Sequence, residues 1–247
     1  MADLTTFSVT VIALGTFVVS LLVSAFGPTG GLQLAIVAAI VPPPLTIPIH
    51  AWISAVSALL RAVNLRRQIE WHFFLLFSVA TLAGSGLGIM LVREISSRIL
   101  EVVVGVSIVA SALRVTANKR SHSVHAGSSP VVVGLATGFL TIFVGATGPL
   151  LFTLMAKRFQ ERVALMATHS ACITLQHLSK LIAFGTIGVV MLEHPGLLLA
   201  TACASALGTA VGSRLLLRIS EATFRKTLTP LMLVSGVFVI VRAALSR

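Results

Sequence analysis

Charge is what this sequence has least of. Of its 247 residues only 10% are charged, and 7 acidic residues stand against 18 lysines and arginines. Soluble domains keep about a quarter of their residues charged, so a water-soluble fold of this size is excluded. Carboxylates are too few, and mostly in connecting segments, for an intramembrane enzyme that holds Mg²⁺ to act on lipid phosphates. Cysteine is as sparse: Cys172 and Cys203 both lie in apolar segments, spell out neither a disulfide framework nor a metal knuckle, and read as packing residues. A phosphate loop of the Walker type is missing. The N-terminus lacks the basic stretch of a cleavable signal and carries Asp3, and the apolar run at 7–26 is long enough to span. The chain therefore reads as a non-enzyme that needs no cofactor.

Apolar sequence takes the place of charge. Hydrophobic residues make up 56% of the chain and the mean hydropathy is +1.03. A bilayer-spanning helix needs about 20 mostly apolar residues, and runs such as 73–92 and 99–113 lack the period-two alternation of a barrel strand. The expected fold is all-α: a polytopic membrane protein of about eight to ten helices. Breaks at glycine, proline and charge place the pieces near 7–26, 31–41, 46–64, 72–92, 97–114, 130–144, 149–157, 163–184, 195–217 and 222–244. The net charge of +11 sits mainly in short loops, the signature of positive-inside orientation. Membrane lipids, and not nucleic acid, are the expected neighbours.

The chain repeats itself. Gly27-Pro28-Thr29-Gly30-Gly31 is matched by Gly145-Ala146-Thr147-Gly148-Pro149, and both breaks precede pieces too short to cross as straight helices. His50 and Arg61 are eleven residues apart, as are His169 and Lys180; Gly84-x-x-x-Gly88 ahead of Ile95-Ser96 is matched by Gly208-x-x-x-Gly212 ahead of Ile219-Ser220. These landmarks recur in one order at offsets of 118, 119 and 124 residues. We divide the chain into a first transmembrane repeat, 1–115, a basic cytoplasmic linker, 116–129, and a second repeat, 130–247. In the linker, His122 and His125 lack further ligands and read as a solvated loop. Arg66-Arg67 follow the third piece, whereas the matching loop 185–195 has no basic residue; the bias reverses one loop later, so the halves read as inverted repeats with glycine-broken helices. Arg93 and Arg98 fall on the outer side in that arrangement.

Two features point to a site. A half-helix starting at Gly30 or Gly148 would aim its N-terminal dipole and free N–H groups at a wet cavity, with Gly31 beside it and hydroxyls from Thr29 and Thr147. The plainer reading is that these glycines permit tight helix crossing. On a helix, positions i, i+7 and i+11 lie within about 40° of one another. His50, Ser57 and Arg61 have that spacing, and His169, Gln176 and Lys180 repeat it, with His177 about 80° from His169. A cation in a bilayer interior costs several kcal/mol and usually has a functional role. Arg61 would serve as a planar fork for an oxyanion and Lys180 as a point charge. The alternatives are snorkelling of both cations to the interface and helix–helix hydrogen bonding by the histidines. An accessory subunit would have no use for duplicated cationic stripes, and a cation carrier would be short of acids.

Taken in order, the glycine breaks, the stretch from Pro48-Ile49-His50-Ala51 to Arg61 ahead of a basic loop and Trp71, and the Gly-x-x-x-Gly segments followed by Ile-Ser resemble the sulfite exporter TauE/SafE family, also known as the toluene sulfonate uptake permeases. The resemblance covers about residues 8–245. It implies a multi-pass carrier of the bacterial inner membrane for a small organosulfur anion such as sulfite, a sulfonate or sulfoacetate, working without ATP hydrolysis; a homodimer is compatible with it. Thr29 and Thr147 inside the breaks, and Pro149 closing the second, depart from the denser glycine run of that family.

Overall fold

The computed structural model describes residues 5–27, 29–91, 99, 102, 105–106, 109, 129–144, 147–156, 158–159, 161–186 and 193–245. The basic linker up to residue 128, Arg93, Arg98 and the Gly145-Ala146 pair lie outside the described residues, as does most of the expected piece at 97–114. Among the described residues there are nine α-helices and no strand: α1 Thr6–Phe26, α2 Gly30–Ile40, α3 Pro43–Asn64, α4 Trp71–Leu91, α5 Pro130–Phe143, α6 Gly148–Ala156, α7 Arg162–Thr186, α8 Pro195–Arg218 and α9 Glu221–Leu245.

Local chemistry sets these bounds. Thr5 caps α1 by accepting from Ser8 N at 3.2 Å, satisfying one of the orphan donors of the first turn. The helix stops at Gly27, whose φ of 111° only glycine adopts without strain. Proline opens α3, α5 and α8, where its missing N–H leaves no helix carbonyl unpaired; α3 accordingly starts at Pro43 and not near residue 46. Helices α2 and α6 have 11 and 9 residues, about 16 and 14 Å at 1.5 Å per residue, half of a hydrocarbon core about 30 Å thick.

Five helices, α1, α3, α4, α8 and α9, are long and apolar enough to cross a membrane. α7 is longer than most at 25 residues but too polar to count with them. Its polar side chains point inward: His169, Gln176, His177 and Lys180 are all buried. Phe7, Leu14, Leu75, Val79, Met90, Leu199 and Leu207 on the outer helices face outward and are more than half exposed. Polar inside and apolar outside is the arrangement required when lipid is the solvent.

Two seams bring backbones unusually close. A Cβ on Gly84 would strike the carbonyl of Leu135, and one on Gly88 would lie 2.9 Å from the Phe139 carbonyl. A Cβ on Gly208 would strike the carbonyl of Phe17, and one on Gly212 that of Leu21. Gly84 thus stands to Leu135 as Gly208 stands to Phe17, and the 118-residue offset between Phe17 and Leu135 equals that between Gly30 and Gly148. In both seams residue numbers rise together, so α4 runs parallel to α5 and α1 parallel to α8. Thr81 and Ser85 reinforce the first by donating to the Gly134 and Gly138 carbonyls at 3.1 and 3.2 Å. α3 packs against α7 in the centre in the opposite sense: His50 lies beside His177, while Arg61 reaches Ser170.

Candidate functional site

The polar faces of α3 and α7 meet the starts of the two short helices. His50 Nε2 is 3.2 Å from the Gly30 carbonyl, and His169 Nε2 is 3.1 Å from the Gly148 carbonyl. A carbonyl only accepts, so each imidazole donates and anchors the first turn of its own half-helix. Helix geometry leaves the N–H groups of Gly30 and Gly31 without an intrahelical acceptor. Thr29 caps this turn by position only; its Oγ1 is buried and has no hydrogen-bond partner among the described residues.

These elements enclose a cavity of about 50 Å³, lined by Val19, Ser20 and Val23 of α1, Gly30 and Gln33 of α2, His50, Ile53, Ser54, Ser57 and Arg61 of α3, Gly148 of α6, and His169, Ile173 and His177 of α7. One water needs about 10–15 Å³ measured this way. The cavity therefore has room for a few waters or one small oxyanion.

Arg61 supplies the charge. It is 2% exposed, so it does not snorkel. Its Nε donates to Ser170 Oγ at 2.5 Å and a terminal nitrogen donates to Ser24 Oγ at 3.0 Å. Both partners are neutral hydroxyls, and they take up two of the five guanidinium N–H donors. The ion pairs among the described residues lie elsewhere, joining Arg158 to Glu70 and Arg162 and Arg225 to Glu221. Among the described residues, the cavity wall carries a guanidinium and three imidazoles and no carboxylate.

Of the residues singled out in the sequence, the cavity gathers Gly30, His50, Ser57, Arg61, Gly148, His169 and His177. Thr29, Gly31, Thr147, Gln176 and Lys180 are buried but do not line it. Around the second stripe, Gln176 Nε2 donates to Thr137 Oγ1 at 2.7 Å, Thr147 Oγ1 donates to Thr141 Oγ1 at 3.2 Å, and Lys180 Nζ donates to the Val144 carbonyl at 3.1 Å. The space that is open at Ser57 and Arg61 is thus packed at Gln176 and Lys180. Sequence reasoning overlooked Ser20, Gln33 and Ser54. Gln33, whose Nε2 donates to Thr16 Oγ1 at 3.1 Å, was discernible as the one amide in the short piece after the first glycine break.

The chain matches the family model described as Sulfite exporter TauE/SafE over residues 12–239. It belongs to the sulfite exporter TauE/SafE family. No curated protein and no solved structure matches it. Membership makes the chain a multi-pass protein of a transporter family, in keeping with the five span-length helices. Within this TauE/SafE chain the family match spans both glycine breaks, both polar stripes and both glycine seams.

Proposed function

We propose that the chain is a secondary transporter for a small organosulfur oxyanion, sulfite or a one- to two-carbon sulfonate, in the bacterial inner membrane. The observation that carries this reading is Arg61, buried without a carboxylate partner among the described residues, on the wall of a cavity that two half-helix starts also reach. An oxyanion would complete the fork with charge-assisted hydrogen bonds, and the N–H group of Gly30 would meet it from the positive end of a helix dipole. The volume supports a compact anion over an arenesulfonate. A cation would meet no carboxylate on this wall.

The reading includes inverted repeats. α3 and α7 are the matching helices of the two halves, and their antiparallel packing supports a two-fold axis in the membrane plane; an axis along the membrane normal would leave them parallel. With the basic turn at 66–67 on the cytoplasmic side, residue 193 lies outside and the linker inside. Single cysteines at Ser121 and Glu193, labelled with an impermeant thiol reagent in a Cys172→Ser, Cys203→Ser background, are expected to react from opposite faces. Reaction of both from one face refutes the inversion.

The functional test is a thermal-shift screen of purified protein against sulfite, thiosulfate, short sulfonates and carboxylates, followed by flux in proteoliposomes. Ligand raises stability by mass action. Stabilisation and uptake restricted to sulfur oxyanions are expected; stabilisation by carboxylates alone, or binding without flux, refutes the assignment.

A further inference from the structure

Resting on that reading of the site, we propose that the cavity takes up its anion together with one proton, and that His169 holds the proton at Nδ1. The geometry fixes the tautomer: Nε2, 3.1 Å from the Gly148 carbonyl, must carry hydrogen. Nδ1 is then the position left to gain or lose a proton. It is buried, has no partner among the described residues, and belongs to a side chain on the cavity wall.

A neutral His169 offers an incoming anion a lone pair, and the oxygens of that anion are themselves acceptors. Protonation turns Nδ1 into a donor and gives the anion a second charge-assisted hydrogen bond beside that of Arg61. Among the described residues, the groups around His169 include two further imidazoles and no carboxylate that lines the cavity. α3 contributes Arg61 and His50; α7 contributes His177 and Lys180; α6 presents the Phe152 ring, 5.2 Å from the imidazole. From α5 and α2 come no titratable residues. The nearest carboxylate on the α4 side, Glu70, is paired with Arg158 at an exposed end and does not line the cavity.

A second positive charge beside Arg61, with no anion present, would be a buried like-charge pair. Proton and anion therefore favour each other's binding by one reciprocal coupling free energy. His50 makes the matching bond to Gly30 but shares Nε2 with Ser54 Oγ at 3.4 Å. For His177 no backbone carbonyl among the described residues sets the tautomer. The step balances simply: the Nδ1 lone pair takes one proton from water on loading and returns it on release, and no bond in the anion changes. A monovalent sulfonate then crosses without net charge.

The test is calorimetric titration of the purified wild-type protein with methanesulfonate, which stays an anion throughout, in buffers of differing ionisation enthalpy. We expect about one proton taken up per anion bound, and affinity falling about tenfold per pH unit on the alkaline side. The uptake should vanish in His169→Gln, whose amide still donates to Gly148 but cannot hold a proton, and persist in His177→Gln. Binding without proton uptake overturns the proposal and leaves the anion site standing. Uptake that persists in His169→Gln, or that depends on His177, overturns the assignment. The wild-type series needs no variant to fold. Absence of binding by every anion sinks the transporter reading and this one together.

Discussion

Replacing Arg61 with methionine separates the two roles a buried cation can have. If Arg61 is an anion clamp, its charge destabilises the empty protein and helps only when ligand is bound. Exchanging a buried charge for an apolar side chain of similar volume is neutral or stabilising by about 1–4 kcal/mol. Against that gain stands one lost hydrogen bond at Ser24, about 1 kcal/mol. Ser170 remains satisfied because its hydroxyl also donates to the Met166 carbonyl at 2.5 Å. The ligand-free melting temperature should stay within a few degrees of wild type or rise, since 1 kcal/mol moves it by about 2–4 °C at this chain length. The bound state loses two charge-assisted hydrogen bonds at about 1.5–3 kcal/mol each. We expect affinity to fall roughly 100-fold to 20,000-fold, read by calorimetry with methanesulfonate or sulfite, and proteoliposome flux to fall with it. Affinity within threefold of wild type would refute the clamp. A drop of about 10 °C or more in the ligand-free protein would make Arg61 a structural brace instead.

Further outcomes follow from the same geometry. Lys180→Met should leave affinity close to wild type, because Lys180 does not line the cavity. It should abolish flux if the second repeat binds in an opposite-facing state; loss of affinity equal to that of the Arg61 variant would contradict this. Thr29→Val removes a hydroxyl that lacks a partner among the described residues and does not line the cavity, so stability and affinity should both hold; a loss of affinity of about fivefold or more would place the hydroxyl in the binding site. Gly208→Leu must force α1 away from α8 and should cost about 1–3 kcal/mol or more, seen as a lower melting temperature. A melting temperature equal to wild type would show that the seam is looser than described.

The helices were legible in the sequence because bilayer thickness, not local propensity, sets their length, and because glycine and proline punctuate them. The seams were legible as paired Gly-x-x-x-Gly segments. The site was legible by half. Equal spacing marks His50, Ser57 and Arg61 as one face, and does the same for His169, Gln176 and Lys180, yet only the first stripe borders the cavity in full. Periodicity gives the direction of a side chain and not the distance to the neighbouring helix. α5 supplies Thr137 and Thr141 to the second stripe and closes the gap, whereas α1 presents Val19, Ser20 and Val23 to the cavity beside the first. Ser20 and Gln33 escaped notice because an isolated small hydroxyl or amide in a span carries no periodic signal.

The glycine seams also decide what can move. On the proposed division into repeats, each joins a helix of one repeat to a helix of the other, α1 to α8 and α4 to α5, with backbones too close to slide without steric collision. A motion that carried one proposed repeat as a rigid unit would have to break both seams, so opening of the cavity is expected to swing a seam-joined pair past the antiparallel α3–α7 core.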